Sequence, residues 1–491
     1  MSLPISAPMI PGTLKTLLNF AGYSGADREL AAPVFVIATI LSWPLAACLR
    51  LIRTPILRKF LVTLIGILTS IMVYGVNVTG IFAVMVVLFY APCRYRLFAP
   101  SLISVLAIVF LGYVQYDCIL SGTATDRMSM TGTLMVMVAK TCMFAYHMHD
   151  GFNLKNKHLL SVHNHIALSR KHTAITESVS LFDFIAYHFE FMGGMVGPVS
   201  TYSEFSDFMN LRSDFANLDS VSFFNPSVLA IFKAFVALGS YVVLMSFPVM
   251  EINTLVTDWY MALPIIYRMS LCSIICTAGR LVFWVVWSLT EVSFVLSGFG
   301  YIRVSPETGK PKFSRGCNVE WLKVETSQNF NSVTAHWNIR LANLWLKNCV
   351  YQRVESVPRI FAALFPSPKS LGNFLTKITS AVWHGWFAGY FLAFLSLGLG
   401  NWTETIVRER LHPQLPSWLL TSKAAAIVGW LHTWMSLNFF FAPFLLLTWG
   451  KSVYFSTSLF WWAHVYHLMI ICSLMILFPK GGRKSEHKKN M

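Results

Sequence analysis

The sequence predicts an all-α, polytopic membrane protein with about ten or eleven transmembrane helices, and three observations carry the prediction. Of 491 residues, 55% are hydrophobic and only 12% are charged, about half the ~25% charge of an average soluble domain. Mean hydropathy is +0.57. The charges are also unevenly spread, leaving long apolar stretches that match the ~20 residues needed to cross a bilayer. The same composition excludes intrinsic disorder and collagen-like or other low-complexity fibres. Several soluble domains of this total length would need more polar surface.

The spans follow from where Asp, Glu, Lys and Arg are missing. Twenty residues lie between Glu29 and Arg50 without any of them, and 34 between Lys59 and Arg94. The second stretch suits two tightly connected helices broken near Gly75–Gly80. Another 20 lie between Arg96 and Asp117. Residues 131–147 form a further candidate with Lys140 inside it. Segments 227–248, 259–275 and 281–299 are apolar but carry Arg268 and Glu291, with Arg280 between the last two. The last third has uncharged runs of 26 residues between Lys377 and Glu404, 27 between Lys423 and Lys451, and 28 between Lys451 and Lys480. The expected organisation is an N-terminal segment over 1–30, one transmembrane domain over 31–479 and a basic tail over 480–491. Residues 1–25 lack the basic n-region and compact apolar core of a plain signal peptide.

The net charge of +16, from 38 Lys and Arg against 22 Asp and Glu, reads as basic cytosolic loops beside anionic lipid rather than a nucleic-acid surface. Arg50, Arg53, Arg58 and Lys59 follow the first span, Arg94 and Arg96 the third, and Lys155, Lys157, Arg170 and Lys171 the fifth. The intervening loops are nearly free of basic residues. This alternation places the N-terminus on the far side and the C-terminus in the cytosol. The chain ends Lys488-Lys489-Asn490-Met491, which resembles a dilysine retrieval signal and gives an endoplasmic reticulum membrane as the expected location. The nine cysteines are scattered without a CxxC pair, so neither a disulfide framework nor a zinc site is expected. Cys272 and Cys276 share a helix face, as two small core residues would. The sequons at Asn77 and Asn401 are expected to stay unmodified.

Polar groups inside apolar spans are costly, so each is a site candidate. The sharpest is His384, in Trp383-His384-Gly385 within the 26-residue uncharged run. An imidazole kept from water stays neutral and can accept a proton as a general base. By position alone, a histidine hydrogen-bonded between helices is the commoner arrangement. The second unusual stretch, 332–353, is amphipathic. At helical spacing Ile339, Asn343 and Leu346 share a face, while Arg340 and Lys347 share another. That is the pattern of an interfacial helix, or of a cationic surface for phosphate groups.

Three blocks in order carry a resemblance. They are Phe182-Asp183-Phe184-Ile185-Ala186-Tyr187 with Gly197-Pro198 and Tyr202-Ser203-Glu204-Phe205; then Trp337-Asn338 with Trp345-Leu346-Lys347 and Tyr351-Gln352-Arg353; then Trp383-His384-Gly385, its histidine 46 residues after Asn338. In a polytopic chain this resembles the membrane-bound O-acyltransferase family, most similar to its lysophospholipid acyltransferase branch. The resemblance implies helices around an internal tunnel and acyl transfer from acyl-CoA, a co-substrate rather than a bound cofactor, to the free glycerol hydroxyl of a lysophospholipid. It maps the family's histidine to His384 and its asparagine to Asn338. Beside them, Trp337, Trp383 and Tyr390 are candidates for substrate binding, and Arg340, Lys347 and Arg353 for the CoA phosphates. One departure stands out. Many phospholipid-remodelling members have proline where this chain has Ala388 before Gly389, which bears on tunnel shape and so on the choice of acyl chain or headgroup.

No metal is expected. The pairs His147/His149 and His163/His165 lack the HxxxH and HxxHH spacings of membrane di-iron enzymes, and fit solvated or interfacial loops better. His432, His464 and His467 suit packing or tunnel-lining roles, and Phe439-Phe440-Phe441 is expected to face lipid. Arg280 and Glu291 lie eleven apart, about 16 Å along a helix, too far for a direct pair. The alternatives are a family member acting on a sterol, diacylglycerol or protein, and a secondary transporter, for which no internal repeat is visible. Neither HxxxxD nor GxSxG occurs. Headgroup, acyl preference and oligomeric state are not written in the sequence.

Overall fold

The computed structural model describes residues 31–122, 130–156, 170–356, 360 and 367–479. The 1–30 segment, His163, His165 and the dilysine tail lie outside them. The described chain is helical apart from one two-stranded antiparallel hairpin, β1 Tyr301–Val304 and β2 Pro311–Phe313. It folds as two compact units, Met1–Ile231 with Leu289–Gly316, and Phe232–Ser288 with Cys317–Met491.

In the first unit, helix α1 covers Ala31–Leu49 and α2 covers Pro55–Tyr95. Helix α2 starts with Pro55, whose missing N–H costs nothing at a first turn. It breaks at Gly75, where φ is 83°, as the glycines at 75 and 80 predict. Its 41 residues would run about 60 Å, twice a hydrocarbon core, so the two halves are two spans back to back. Helices α3 (Pro100–Leu120) and α4 (Met130–Lys155) follow. His147 lies on α4 with 1% exposure, so the HxH at 147–149 is helical rather than a solvated loop. The sequence misleads here because Asp150-Gly151 and Asn153, just after the pair, read as turn residues.

The first resemblance block builds this unit's interior. Helix α5 (Leu181–His188) is capped by Ser180, whose hydroxyl accepts from the Asp183 N–H. The Asp183 carboxylate takes Lys59 Nζ at 2.7 Å. Lys140 of α4 is fully buried and spends its charge on Glu190 at 3.0 Å and on the Tyr187 carbonyl at 2.8 Å. Helix α6 (Tyr202–Met209) opens with a capping box between Thr201 and Glu204. Arg315 then joins Glu204 and Asp214.

Helices α7 (Phe224–Met245) and α8 (Ile265–Ser297) come next. The segments expected at 259–275 and 281–299 prove to be one 33-residue helix. Its mid-helix Arg280, which looks like a boundary in the sequence, is buried and paired instead.

In the second unit, α9 (Trp321–Glu325) and α10 (Phe330–His336) lead to α11 (Ile339–Leu341), which continues as a π-helix over Ala342–Val350. Then come α12 (Pro368–His384), α13 (Ala388–Ile406), α14 (Lys423–Leu446), α15 (Trp449–Ser458) and α16 (Trp462–Leu477). Ser367 and Ser422 cap α12 and α14 by accepting from backbone N–H groups three residues on. Phe439, Phe440 and Phe441 are 1%, 0% and 7% exposed. They fill the core of this unit instead of facing lipid, because on a helix apolar all round the sequence has no polar face to say which side is inside. Cys272 and Cys276 are buried in the same core.

Among the described residues, five helices are long and apolar enough to cross a membrane, and six if the bent pair α15–α16 is one span. The protein is therefore an all-α, multi-pass membrane protein. The gap from ten or eleven has local causes. Helix α2 is counted once though its charge-free run is long enough for two spans, α8 merges two segments, and the 26-residue uncharged run is split between α12 and α13. The apolar part of α1 is short, and α4 with its buried Lys140 is not among the five.

Candidate active site

That split positions His384. Gly385 ends α12 with φ 133°, a conformation open to glycine and strained for other residues. His384 thus occupies the last residue of a helix, at a break inside an apolar run, and not the middle of a span. Four aromatic rings wall the imidazole: Trp383, Tyr390, Phe394 and Phe444, with centroids at 5.0, 5.5, 5.3 and 4.9 Å. Among the described residues its ring nitrogens have no protein hydrogen-bond partner, yet the side chain keeps some accessible surface. The arrangement differs from that of two other inward histidines. His464 Nε2 shares a proton with Ser396 Oγ at 2.7 Å and His467 Nδ1 with Thr403 Oγ1 at 2.9 Å. Those two are held between helices; His384 is left to face something else.

Two close approaches brace this break. The Gly389 N–H donates to the Leu447 carbonyl at 2.7 Å, and a Cβ at Gly389 would lie 2.1 Å from the Pro443 carbonyl oxygen. Leu447 offers that carbonyl from φ 64°, ψ −62°, the strained three-residue turn rarely taken by non-glycine residues. The Thr448 N–H closes it on Leu446 O at 2.7 Å. Ala388 is the first residue of α13, where proline is tolerated but not required. The bend is made by Gly385 and held by Gly389.

Trp337, the residue before Asn338, belongs to the same aromatic cluster. Phe444 touches His384 and also Phe283, centroids 6.2 Å apart; Phe283 touches Trp337 at 5.6 Å, and Trp287 does so at 5.3 Å. Two rings, Phe444 and Phe283, therefore join the histidine to the Trp337-Asn338 pair. Trp383 packs on Trp345, 5.4 Å away on the π-helix. The wider turn of that helix overrides the expected faces. Leu341, Trp345 and Cys349 point inward, while Asn343 and Lys347 are exposed together. Extra residues per turn of this kind recur at functional sites.

The expected residues are thus unevenly gathered. Trp337, Trp383 and Tyr390 line the cluster with His384, and Asn338 follows Trp337 in the chain. Arg340 lies two residues beyond Asn338, Lys347 faces outward, and Arg353 Nε donates to the Asn348 carbonyl at 3.0 Å. Phe283, Trp287, Phe394, Phe444 and Asn318 carry no mark in the sequence, since each is one aromatic or amide among many.

Residues 88–446 match the membrane-bound O-acyltransferase family. The chain belongs to that family. It is accordingly an acyltransferase. It is 25% identical over 453 residues to the mouse protein named membrane-bound glycerophospholipid O-acyltransferase 1, covering 87% of this chain and 84% of the relative. A Gallus gallus membrane-bound glycerophospholipid O-acyltransferase 2 is 23% identical over 88% of this chain and 82% of its own. A Schizosaccharomyces pombe lysophospholipid acyltransferase is 24% identical over 71% of this chain and 67% of its own.

Proposed function

We propose that this acyltransferase re-esterifies lysophospholipids, taking the acyl group from acyl-CoA, with His384 as general base and Asn338 assisting. The observation that carries the reading is the imidazole of His384, unengaged by the described protein groups and walled by aromatic rings that lead to Asn338. The names borne by the relatives support the acceptor class.

In the proposed step, a ring nitrogen of His384 takes the proton of the glycerol hydroxyl as its oxygen attacks the thioester carbonyl. The new C–O ester bond forms, the C–S bond breaks, and the proton passes from His384 to the departing thiolate. An Asn338 N–H offsets the charge that develops on oxygen. The aromatic walls keep out water, which would compete as acceptor. Lys347, with Arg340 and Arg353 on the same segment, supplies cations for the CoA phosphates. The proposed setting is the endoplasmic reticulum membrane with a cytosolic C-terminus.

The test uses membranes carrying the full chain, labelled acyl-CoA and a panel of lysophospholipids. His384→Ala is expected to lower acylation by about 10²–10⁴-fold, and Asn338→Ala by about 10²–10³-fold, at equal amounts of folded protein. Wild-type rates in His384→Ala would remove the proposed base. Acylation of a sterol or diacylglycerol, with every lysophospholipid left untouched, would move the acceptor to another branch.

A further inference from the structure

Asn338 does not sit in ordinary backbone. Its φ and ψ are both 48°, the left-handed region that asparagine enters more readily than most residues. It is wedged between Trp337, which pairs with Val319 in a short antiparallel bridge, and the helix that begins at Ile339. Two backbone bonds flank the bridge: Glu320 N–H to His336 O at 3.0 Å, and Ile339 N–H to Asn318 O at 2.9 Å. This pairing sets Asn318 opposite Asn338.

Asn318 is 3% exposed, and its side chain is committed at both ends. Its Oδ1 accepts the Arg340 N–H at 3.0 Å, satisfying an orphan donor in the helix's first turn. Its Nδ2 donates to Asn338 Oδ1, also at 3.0 Å. Amide oxygen and nitrogen are told apart by their partners, and here the partners leave one solution. A backbone N–H can meet only the oxygen of Asn318, so its amino end must face Asn338. That amino group can meet only the oxygen of Asn338.

We propose that Asn318 is a positioning residue that holds the Asn338 carboxamide with its oxygen occupied, so that only its N–H groups are presented to the reacting oxygen. The inference rests on the proposed role of Asn338 and narrows it. Asn338 acts as a donor to developing negative charge, and not as an acceptor of the attacking hydroxyl's proton. Asn318 contributes by fixing which end is available, and it meets no substrate.

The substitution that tests this is Asn318→Asp. The carboxylate keeps an acceptor for the Arg340 N–H, so the helix start is preserved. It also puts an acceptor where a donor stood, which turns the Asn338 amide around and points its oxygen at the substrate. In membranes with labelled acyl-CoA and the lysophospholipid panel, kcat is expected to fall about 10²-fold, with KM for both substrates and the thermal midpoint in detergent near wild type. In an Asn338→Ala background, assayed with enough enzyme to read the residual rate, Asn318→Asp should cause no further fall. If Asn318→Asp does not fold, Asn318→Ser takes its place; its hydroxyl ends one bond short of both partners and so releases Asn338, and the same two results are expected.

Wild-type kcat in the folded variant would overturn the proposal. So would an equal loss in both backgrounds, because Asn318 would then act through the fold alone. Wild-type kcat in Asn338→Ala would overturn the reading of Asn338 itself, and this inference with it, while wild-type kcat in Asn318→Asp beside a slowed Asn338→Ala would overturn this inference alone.

Discussion

His384 and Gly389 show how much a single position controls. The histidine is available because Gly385 stops its helix and no described neighbour hydrogen-bonds it, whereas His464 and His467 are tied to hydroxyls. Gly389 matters through space instead of conformation. A Cβ there would press on the carbonyl oxygens of Pro443 and Leu447 at 2.1 and 2.6 Å, and backbone cannot step aside as a flexible side chain does. Gly389→Ala is therefore expected to lower stability by about 1–3 kcal/mol or more and to reduce acyl transfer sharply, since the helix start beside His384 must move. A thermal midpoint in detergent and a rate in membranes check it; an unchanged midpoint would mean that α13 and α14 are not tightly apposed. At this scale the sequence marks His384 and Asn338 through spacing and neighbours. It cannot mark Asn318, whose partner is twenty residues away and is brought close by a bridge between 319 and 337.

At the level of elements, the first unit joins α2 to α5 through Lys59 and Asp183, 2.7 Å apart with both side chains largely covered. Burial pushes the Asp183 carboxyl up, but hydrogen bonds from Lys59 and Ser180 and the lysine's charge outweigh it, so the group titrates below its ordinary value. A carboxyl lowered on folding stabilises the protein above its unfolded pKa, about 3.9, and loses that contribution as pH falls through the folded value. Asp183→Asn should therefore lower the thermal midpoint at pH 6, and the gap from wild type should close as the pH is brought toward 3. A gap independent of pH would mean the pair contributes through packing alone. The elements themselves were largely legible. Charge-free length places the helices, and Gly75 marks the break in α2. Missed were the merger of 259–275 with 281–299 and the π-helix at 342–350, because apolar periodicity does not reveal whether a chain continues through a buried arginine or widens its turn.

Across the second unit, Arg280 shows why a charge inside a span need not mark a transport path. Its guanidinium meets Glu325 through two parallel bonds at 3.0 and 2.7 Å, Asn438 Oδ1 at 2.6 Å and Thr277 Oγ1 at 3.1 Å. One side chain ties α8, α9 and α14 together. Trp284, one turn on, stacks on Trp321 at 5.2 Å, and Phe283 and Trp287 carry Trp337. Removing one partner of a buried pair leaves the other uncompensated, which costs about 3–5 kcal/mol. Arg280→Ala is expected to depress the thermal midpoint in detergent strongly, and the double variant Arg280→Met, Glu325→Leu to recover much of it. Equal loss in single and double variants would mean that shape, not the unpaired carboxylate, sets the cost.

The sequence by itself determined that this chain lives in a membrane, that it is helical, and which histidine and asparagine stand in family blocks. Those properties are local or additive: apolar length, charge gaps and residue spacing need no partner. Only the tertiary structure decided that Phe439–Phe441 are core, that His384 ends a helix among aromatic rings, and that Asn318 faces Asn338. Each depends on what another element places opposite, and neither hydropathy nor spacing encodes the far side of a contact.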